Sequence, residues 1–451
     1  MANQMRGKKT KREELTRVRA WLTIIAMVLF LGSVTAEAQE QVYTLQDAYT
    51  SALKTHESIK IAEEGVLQSE SVIDQARTYL YPRLNGNAGY TRYNEILPPP
   101  PPVPSANSVI FQPQEESTAS LKLTQPLYTG GRTLAALRTA KSRQEASRQD
   151  LAASREDLML GVAEAFYGVL KAQKLVDVSR ESVERMERNR KVTEREANIR
   201  RTKANASALL RANTLVSQAR IILLRSEDGL RIARRKLGLI TGLPENASLT
   251  EPALMEAPAE GYDRLRDFAV ARREDYAKAR LDRDVARENI AIVKGAHLPQ
   301  LSAEGGVRYK SAAPSTLDEG TTNYVGLRLE VPIFEGGLMR HEVSEARSKL
   351  RQSELFADLL RRSIESEVYE ASINLQTETS VLSAVKQQYD DAKSNFTAVE
   401  ALFAEGVAST LQLIDAQQAL LFTEREYVNA IYDQQVAILR LQRAVGMLGK
   451  A

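Results

Sequence analysis

Few residues in this chain have the types and spacing that chemistry at a protein site requires. His56, His297 and His341 are the only histidines among 451 residues, and there is no cysteine. Disulfides, thiolate zinc sites and cysteine catalysis are therefore excluded, and histidine-based metal or acid–base chemistry has little material. The sequence also has no Ser/His/Asp cluster, nucleotide-binding loop or metal-ligand spacing. We predict a protein that is not an enzyme and that needs no cofactor.

The charge balance argues against nucleic acid as a partner. Lys and Arg together number 61 and Asp and Glu 58, so the formal net charge is only +3. A nucleic-acid-binding protein usually carries a strong basic field, and none is expected here.

The amino terminus has the order of features that is typical of an export signal. Several basic residues precede an apolar run over residues 21–31, and Ala36-Glu37-Ala38 follows. A positive segment, a short apolar segment and an A-x-A site predict a signal peptide over residues 1–38. An amino-terminal membrane anchor is the alternative interpretation. No later stretch is a candidate membrane helix, because charges interrupt every long segment, so contact with lipid would require strands.

One short element occurs twice and organises the rest of the chain. Residues 123–132 read LTQPLYTGGR and residues 329–338 read LEVPIFEGGL, with one spacing, since 332 − 126 = 206 and 336 − 130 = 206. In each copy a strand is expected to stop at the proline, and the Gly-Gly step begins a long helix. We predict a backbone bend between strands and helices at Pro126, Gly130, Gly131, Pro332, Gly336 and Gly337.

The duplication divides the chain into two equivalent parts. We predict a first repeat over residues 39–243, with a β-hairpin at 83–127, and a second repeat over residues 262–451, with a β-hairpin at 300–333. Residues 244–261 form a linker. Each repeat is expected to begin with a helix, over residues 44–80 and 262–296, and to end in a long helical hairpin. A proline-rich insert at residues 98–104 is expected to be a surface loop.

The long helices carry a coiled-coil pattern. Apolar and small residues recur at alternating steps of three and four from Leu413 to Leu448, and again from Leu382 to Phe403. A sustained heptad pattern predicts helices that pack along their length. Residues 404–409, which include Gly406, are expected to turn the second pair into an antiparallel hairpin.

Four strands per chain are too few to enclose a lumen. Unpaired strand edges in lipid would leave backbone groups unsatisfied, at several kcal/mol each, so the sheet must close with strands of other copies. Three copies give a twelve-stranded barrel with an aqueous lumen, whereas two give eight strands filled by side chains. Aromatic residues near the strand ends are expected to form an interfacial girdle: Tyr90, Tyr93, Tyr128, Tyr309, Tyr324 and Phe334.

The signal peptide, the doubled strand–Pro–aromatic–Gly-Gly–helix element and the tip Gly406-Val407-Ala408-Ser409 together resemble the TolC-like outer-membrane efflux channel family. The resemblance implies a mainly α protein with membrane β: a homotrimer whose twelve-stranded barrel, in contact with outer-membrane lipid, continues into a periplasmic α-helical coiled-coil tunnel. It further implies passive conduction of substrates that an inner-membrane pump of the RND, ABC or MFS type delivers through a periplasmic adaptor.

The resemblance also assigns candidate sites. It places adaptor-docking tips at Arg200, Arg201, Thr202 and Lys203, and at Glu405, Gly406, Val407, Ala408 and Ser409. It places a pore constriction just above the second tip, with Asp415 at a family carboxylate position and Gln412 at the other. Arg211 matches Asp415 across the repeat, and Phe403 stands where some members have a bridging aromatic hydroxyl.

Two other function classes compete with the channel. A periplasmic coiled-coil adaptor or structural stalk shares export and long helices, but paired membrane-length strand hairpins are not expected in it. An exported enzyme on a helical scaffold would require the catalytic constellations that the sequence lacks.

Overall fold

The computed structural model describes residues 42–95, 112–199, 203–258, 260–315 and 319–449. The predicted signal peptide and the proline-rich insert at 98–104 lie outside these ranges. Within them, the elements in chain order are β1 (Val42–Tyr43), α1 (Leu45–Thr55), α2 (Glu57–Thr78), β2 (Arg83–Arg92), β3 (Glu115–Tyr128), α3 (Arg132–Ile199), α4 (Lys203–Thr241), β4 (Ser248–Leu249), α5 (Tyr262–Arg272), α6 (Glu274–Ala296), β5 (Gln300–Ala313), β6 (Gly320–Glu330), α7 (Leu338–Ala404) and α8 (Thr410–Val445).

The element boundaries repeat with the spacings of the sequence, which confirms the internal duplication. The starts of α1 and α5 differ by 262 − 45 = 217, and so do those of β2 and β5, at 300 − 83 = 217. The starts of α3 and α7 differ by 338 − 132 = 206, and the ends of α4 and α8 by 445 − 241 = 204. Each helix and each long strand of the first repeat therefore has a counterpart in the second.

Both amino-terminal helices are interrupted at one residue, which corrects the prediction of continuous helices over 44–80 and 262–296. His56 and Arg273 adopt extended backbone conformations, with ψ of 132° and 126°. The His56 ring accepts a hydrogen bond from the Ser58 backbone N–H at 3.2 Å, so it caps the helix that follows. The buried Arg273 guanidinium instead donates to Asp275 at 2.7 Å and to the Ala444 carbonyl at 3.3 Å.

The four long strands form one antiparallel sheet in the order β2-β3-β5-β6. β2 and β6 are the edge strands, and both are exposed along their whole length. Pro126 lies inside β3, at a register irregularity, so the prediction that this proline ends its strand is wrong. Its counterpart Pro332 follows the end of β6. The difference has a physical reason: beyond Thr124 β3 pairs with β5 alone, and a proline is accommodated there because it lies at a register irregularity beside an unpaired edge.

The sheet has one apolar and one polar face. Leu84, Leu121, Val307 and Leu327 share the apolar face, as the register of the strands shows. On the other face Glu304 contacts Lys122 at 3.0 Å and Arg328 at 2.9 Å. A sheet with this division matches a barrel wall that faces lipid on one side and water on the other.

The helices extend from the sheet and pack side by side. α3 contacts α2 and α6, α6 contacts α7, and the hairpins α3–α4 and α7–α8 meet where α3 contacts α8. The heptad pattern is confirmed in the second hairpin, where Phe396, Leu413 and Leu420 are buried together. Tyr389 and Tyr427 stack across the same seam, with ring centroids 5.2 Å apart. No described helix is both long and apolar enough to cross a membrane.

Candidate functional site

Two glycine pairs connect the sheet to the long helices. Gly130 and Gly131 have φ of 63° and 78°, and Gly336 and Gly337 have φ of 62° and 88°. These left-handed conformations explain why glycine stands at all four positions. The first pair is also tightly packed, because a Cβ on Gly130 would meet the Gly295 carbonyl and would lie 2.8 Å from the Leu298 Cβ. A Cβ on Gly336 would meet no atom of the same chain within 4 Å.

The second bend carries a histidine that the sequence did not single out for a role. His297 is buried between two carboxylates, with Nδ1 3.1 Å from the Glu335 Oε2 and Nε2 3.0 Å from the Glu342 Oε2. Carboxylate oxygens accept hydrogen bonds, so each contact requires a ring nitrogen that donates. The contact ties the turn before Gly336 to α7. The sequence gives no signal for this contact, because His297 lies far along the chain from Glu335 and Glu342.

The second tip is a short, well-capped turn between α7 and α8. Gly406 has a φ of 74°, and the backbone N–H groups of Val407 and Ala408 both donate to the Leu402 carbonyl, at 2.9 and 3.1 Å. Ser409 forms a capping box with Gln412, whose side chain accepts from the Ser409 N–H at 2.8 Å. The Val407 side chain is 72% exposed. This turn therefore presents an apolar side chain on a fixed backbone.

The residues predicted at a constriction have different environments. Phe403 is partly buried and packs against the seam formed by Phe396, Leu413 and Leu420. The Gln412 side chain is used by the cap. Asp415 on α8 and Arg211 on α4 are both exposed in the single chain. Their role at a constriction stays a prediction.

The first tip falls largely outside the described residues. α3 ends at Ile199 and α4 begins at Lys203, while Arg200, Arg201 and Thr202 lie in the gap between the described ranges. The predicted docking role of this tip stays a prediction.

The predicted aromatic girdle divides between the two faces of the sheet. Tyr90, Tyr128 and Tyr309 lie on the apolar face according to the register. Tyr324 instead pairs with Gly306 on the polar face with Glu304, so its predicted place in a lipid-facing girdle is wrong. The missing side chain of Gly306 leaves room for the Tyr324 ring, which lies 3.0 Å from where a Cβ would be. Tyr93 follows the end of β2, and Phe334, between β6 and Gly336, is 87% exposed.

A buried ion pair joins the two helical hairpins. The Arg185 guanidinium on α3 contacts the Glu424 carboxylate on α8 at 2.6 Å, and their side chains are only 14% and 13% exposed. Burial raises the pKa of Glu424, although the charge of Arg185 and its hydrogen bond act in the opposite direction. The neighbouring Arg425 reaches back to Ser179 on α3 at 3.2 Å. Polar contacts therefore fix the relative position of the hairpins.

Comparison with known proteins agrees with this architecture. The family whose members are described as outer membrane efflux proteins matches residues 48–243 and 265–447, which are most of the two repeats. The chain belongs to this family.

Two relatives show how far the outer membrane efflux protein family extends along the chain. The protein is 26% identical over 392 residues to outer membrane protein TolC of Vibrio cholerae, which covers 84% of this chain and 85% of that protein. It is 27% identical over 303 residues to the alkaline protease secretion protein AprF of Pseudomonas aeruginosa, which covers 64% and 61%.

Solved structures share the fold at lower identity. Outer membrane protein VceC of Vibrio cholerae superimposes with a TM-score of 0.74 at 17% identity, over 89% of this chain and 96% of that chain. The CmeC outer membrane channel of Campylobacter jejuni gives 0.76 at 16% identity, over 89% and 85%. The chain therefore has the fold of outer-membrane channels of this family.

Proposed function

We propose that this protein is the outer-membrane channel of a tripartite efflux or type I secretion system and that it conducts substrates passively. The observation that carries the proposal is the four-stranded sheet with two open edges, each strand of which connects to a helix. Such a sheet cannot seal itself in lipid, and three copies supply twelve strands, enough for an aqueous lumen. The helices then continue the wall as a tunnel. Residues 1–38 serve export.

Membership of the outer membrane efflux protein family supports this proposal, as do the names of the relatives. TolC is an outer membrane protein, AprF acts in alkaline protease secretion, and CusC of Escherichia coli is named for cation efflux. We assign the supply of energy and the choice of substrate to an inner-membrane pump of the RND, ABC or MFS type, as the resemblance to the TolC-like family implies.

The second tip, residues 405–409, is the surface that we assign to the periplasmic adaptor. Its support is geometric: the left-handed Gly406 and the capping box of Ser409 hold the exposed Val407 in one position at the end of a helical hairpin. The basic first tip, residues 200–203, is its counterpart in the other repeat.

Fractionation of cells followed by bilayer recording tests the proposal. We expect the protein in the outer membrane, as a trimer that resists detergent until heated, and we expect the purified trimer to conduct ions across a planar bilayer. Recovery of a soluble periplasmic monomer, or a trimer that does not conduct, would contradict it.

A further inference from the structure

We propose that the polar face of the sheet carries a binding site for the anionic group of a substrate in transit, namely a carboxylate, sulfonate or phosphate. The inference rests on the proposed function, because only an assembled wall turns this face toward a lumen. The site is an open cavity of about 250 Å³ at the ends of the strands, where the sheet meets α3. Three arginines line it: Arg83, Arg132 and Arg328.

The strand register shows toward which side the cavity opens. Arg83 pairs with Thr124, and Thr124 pairs with Glu304, which lies on the polar face of the sheet. Arg328 lies on the same face, since its guanidinium contacts the Glu304 carboxylate at 2.9 Å. Directly paired side chains of a sheet share a face. The arginines of the strands therefore face the side on which the proposed assembly holds water, away from lipid.

Two of the three arginines have no carboxylate partner among the residues that the structure describes. The Arg83 guanidinium lies over the Tyr79 ring, 4.4 Å from its centroid, and this contact holds the cation without using its N–H donors. Arg132 is the first residue of α3 and is half-buried. Arg328, by contrast, donates to both oxygens of Glu304, at 2.9 and 3.3 Å. Arg83 and Arg132 are thus the groups that a ligand would pair.

The charges around the cavity favour an anion. Four cations, the three arginines and Lys122, face two carboxylates, Glu304 and Glu330, so two positive charges on each chain are uncompensated. The planar fork of an arginine matches a carboxylate or a phosphate, and the resulting hydrogen bonds are stronger than neutral ones. The Thr129 and Thr133 hydroxyls, 2.9 Å apart in the lining, add a donor, because only one of them can donate to the other.

The second repeat shows that the fold does not require these two arginines. Arg83 begins β2 and Arg132 begins α3, and the corresponding elements β5 and α7 begin with Gln300 and Leu338. The same connection from strand to helix is therefore built in the second repeat without a cation at either position. Structural need alone does not explain the two arginines, whereas an anionic ligand does.

The size of the cavity indicates what it can hold. A pocket that encloses a drug-sized ligand has a volume of roughly 300–1,000 Å³. This cavity is smaller and open, so it takes the charged group of a substrate and leaves the rest of the molecule in the lumen. Such a site suits conduction, because a channel must bind what it conducts weakly enough to release it.

Calorimetric titration of the purified protein with citrate, a tricarboxylate, tests the site without requiring conduction. Arg83→Gln and Arg132→Leu each introduce the residue of the second repeat, so the fold should accept both. We expect each variant to raise the Kd for citrate about tenfold, because hydrogen bonds to a charged group are lost. Inorganic phosphate should compete with citrate in the unaltered protein.

Arg308→Gln is the matched control for the two cavity variants. Arg308 is an exposed cation on the same polar face, and it pairs with Ser120 and Thr322 outside the cavity. At about 0.15 M salt a distant exposed charge is largely screened, so the Kd for citrate should stay within about twofold of the unaltered value. A control variant that binds as weakly as the cavity variants would overturn the site, and so would an unaltered protein that binds no citrate. Either result would leave the proposed channel unaffected.

The lipid around the protein distinguishes a substrate from a headgroup. In nanodiscs, citrate should bind equally well with phosphatidylglycerol and with phosphatidylcholine. Loss of binding in phosphatidylglycerol would mean that a lipid phosphate occupies the cavity, and it would overturn the assignment to a substrate. A protein that binds citrate but neither forms trimers nor conducts ions would contradict the proposed function, and with it the substrate in transit, while keeping the anion site.

Discussion

At the scale of single residues, removal of one partner from the buried pair between Arg185 and Glu424 should strongly lower the free energy of unfolding. In Arg185→Met, Glu424 stays buried without its cation, and we expect a loss of about 3–5 kcal/mol in the free energy of unfolding. The double variant Arg185→Met/Glu424→Leu should recover most of it, because no unpaired charge remains. Denaturant titration of the purified protein measures both. A single variant as stable as the unaltered chain would show that the pair is dispensable.

The contact between Arg273 and Asp275 should make the stability of the protein depend on pH. Burial alone would favour the neutral form of Asp275, but the hydrogen bonds and charge of Arg273 outweigh it and lower the pKa of that carboxyl. A lowered folded-state pKa gives stability that is present above the unfolded pKa and is lost as the pH falls through the folded one. Arg273→Met should therefore flatten the acid end of the curve of unfolding free energy against pH.

Arg266→Met is the matched control for Arg273, because Arg266 pairs with the exposed carboxylates of Asp263 and Asp267. An exposed pair contributes little, so the control should change stability by about 0.5 kcal/mol or less. If both variants give the same pH curve, the buried cluster does not govern acid stability.

At the scale of elements, the bend before α3 depends on contact as well as conformation. Gly130 and Gly131 both have positive φ, but only Gly130 presses against Gly295. Gly130→Ala should therefore cost at least about 1 kcal/mol more than Gly131→Ala, because it adds overpacking to the same backbone strain. Thermal unfolding of the two variants in detergent provides the comparison. Equal losses of stability in the two variants would mean that the backbone around Gly130 and Gly295 shifts to accept the added methyl group.

The tip between α7 and α8 gives a prediction at the same scale. Gly406→Val strains a left-handed turn that has open space around it, so assembly should be unaffected while the position of Val407 changes. We expect intact trimers and impaired efflux in cells with the native pump and adaptor. Gly229→Ala, on α4 with no atom near the added methyl, is the control. Normal efflux by Gly406→Val would place adaptor contact elsewhere.

The sequence predicts the long elements well and their interruptions badly. The helix from Arg132 to Ile199 and the seam of α7 and α8 follow from a proline-free heptad pattern that no local feature opposes. The breaks at His56 and Arg273 are not predicted, because neither residue is a typical helix breaker. A histidine cap on Ser58 stabilises the first break, and a long-range contact with Ala444 stabilises the second. The strand end predicted at Pro126 is wrong for the opposite reason: the local proline signal is overridden by continued pairing of β3 with β5, across a register irregularity.

At the scale of the whole molecule, ion selectivity tests the predicted constriction. Three copies of Asp415 at a narrow end would attract cations, so the channel should prefer cations, and Asp415→Asn should reduce that preference. Reversal potentials in asymmetric salt measure it. Asp263→Asn, on α5 with a side chain 85% exposed, is the control. Unchanged selectivity in Asp415→Asn would remove Asp415 from the constriction.

The same scale explains why the site was harder to predict than the fold. Phe403 and Tyr324 were assigned by their position in the chain, but packing in the helical seam and strand register decide where they face. The role predicted for Asp415 depends on contacts that only an assembly of several copies could supply. A single sequence determines the repeated unit, whereas the surroundings of these residues are completed by assembly.

The open sides of β2 and β6 also have a consequence for biogenesis. Before its sisters arrive, each newly exported chain displays two rows of unsatisfied amides and carbonyls, which are templates for pairing with any extended peptide. Misassociation therefore competes with correct assembly from the moment of export. The cell must shield these rows, or make the sheet fold last, so that insertion and association occur as one event.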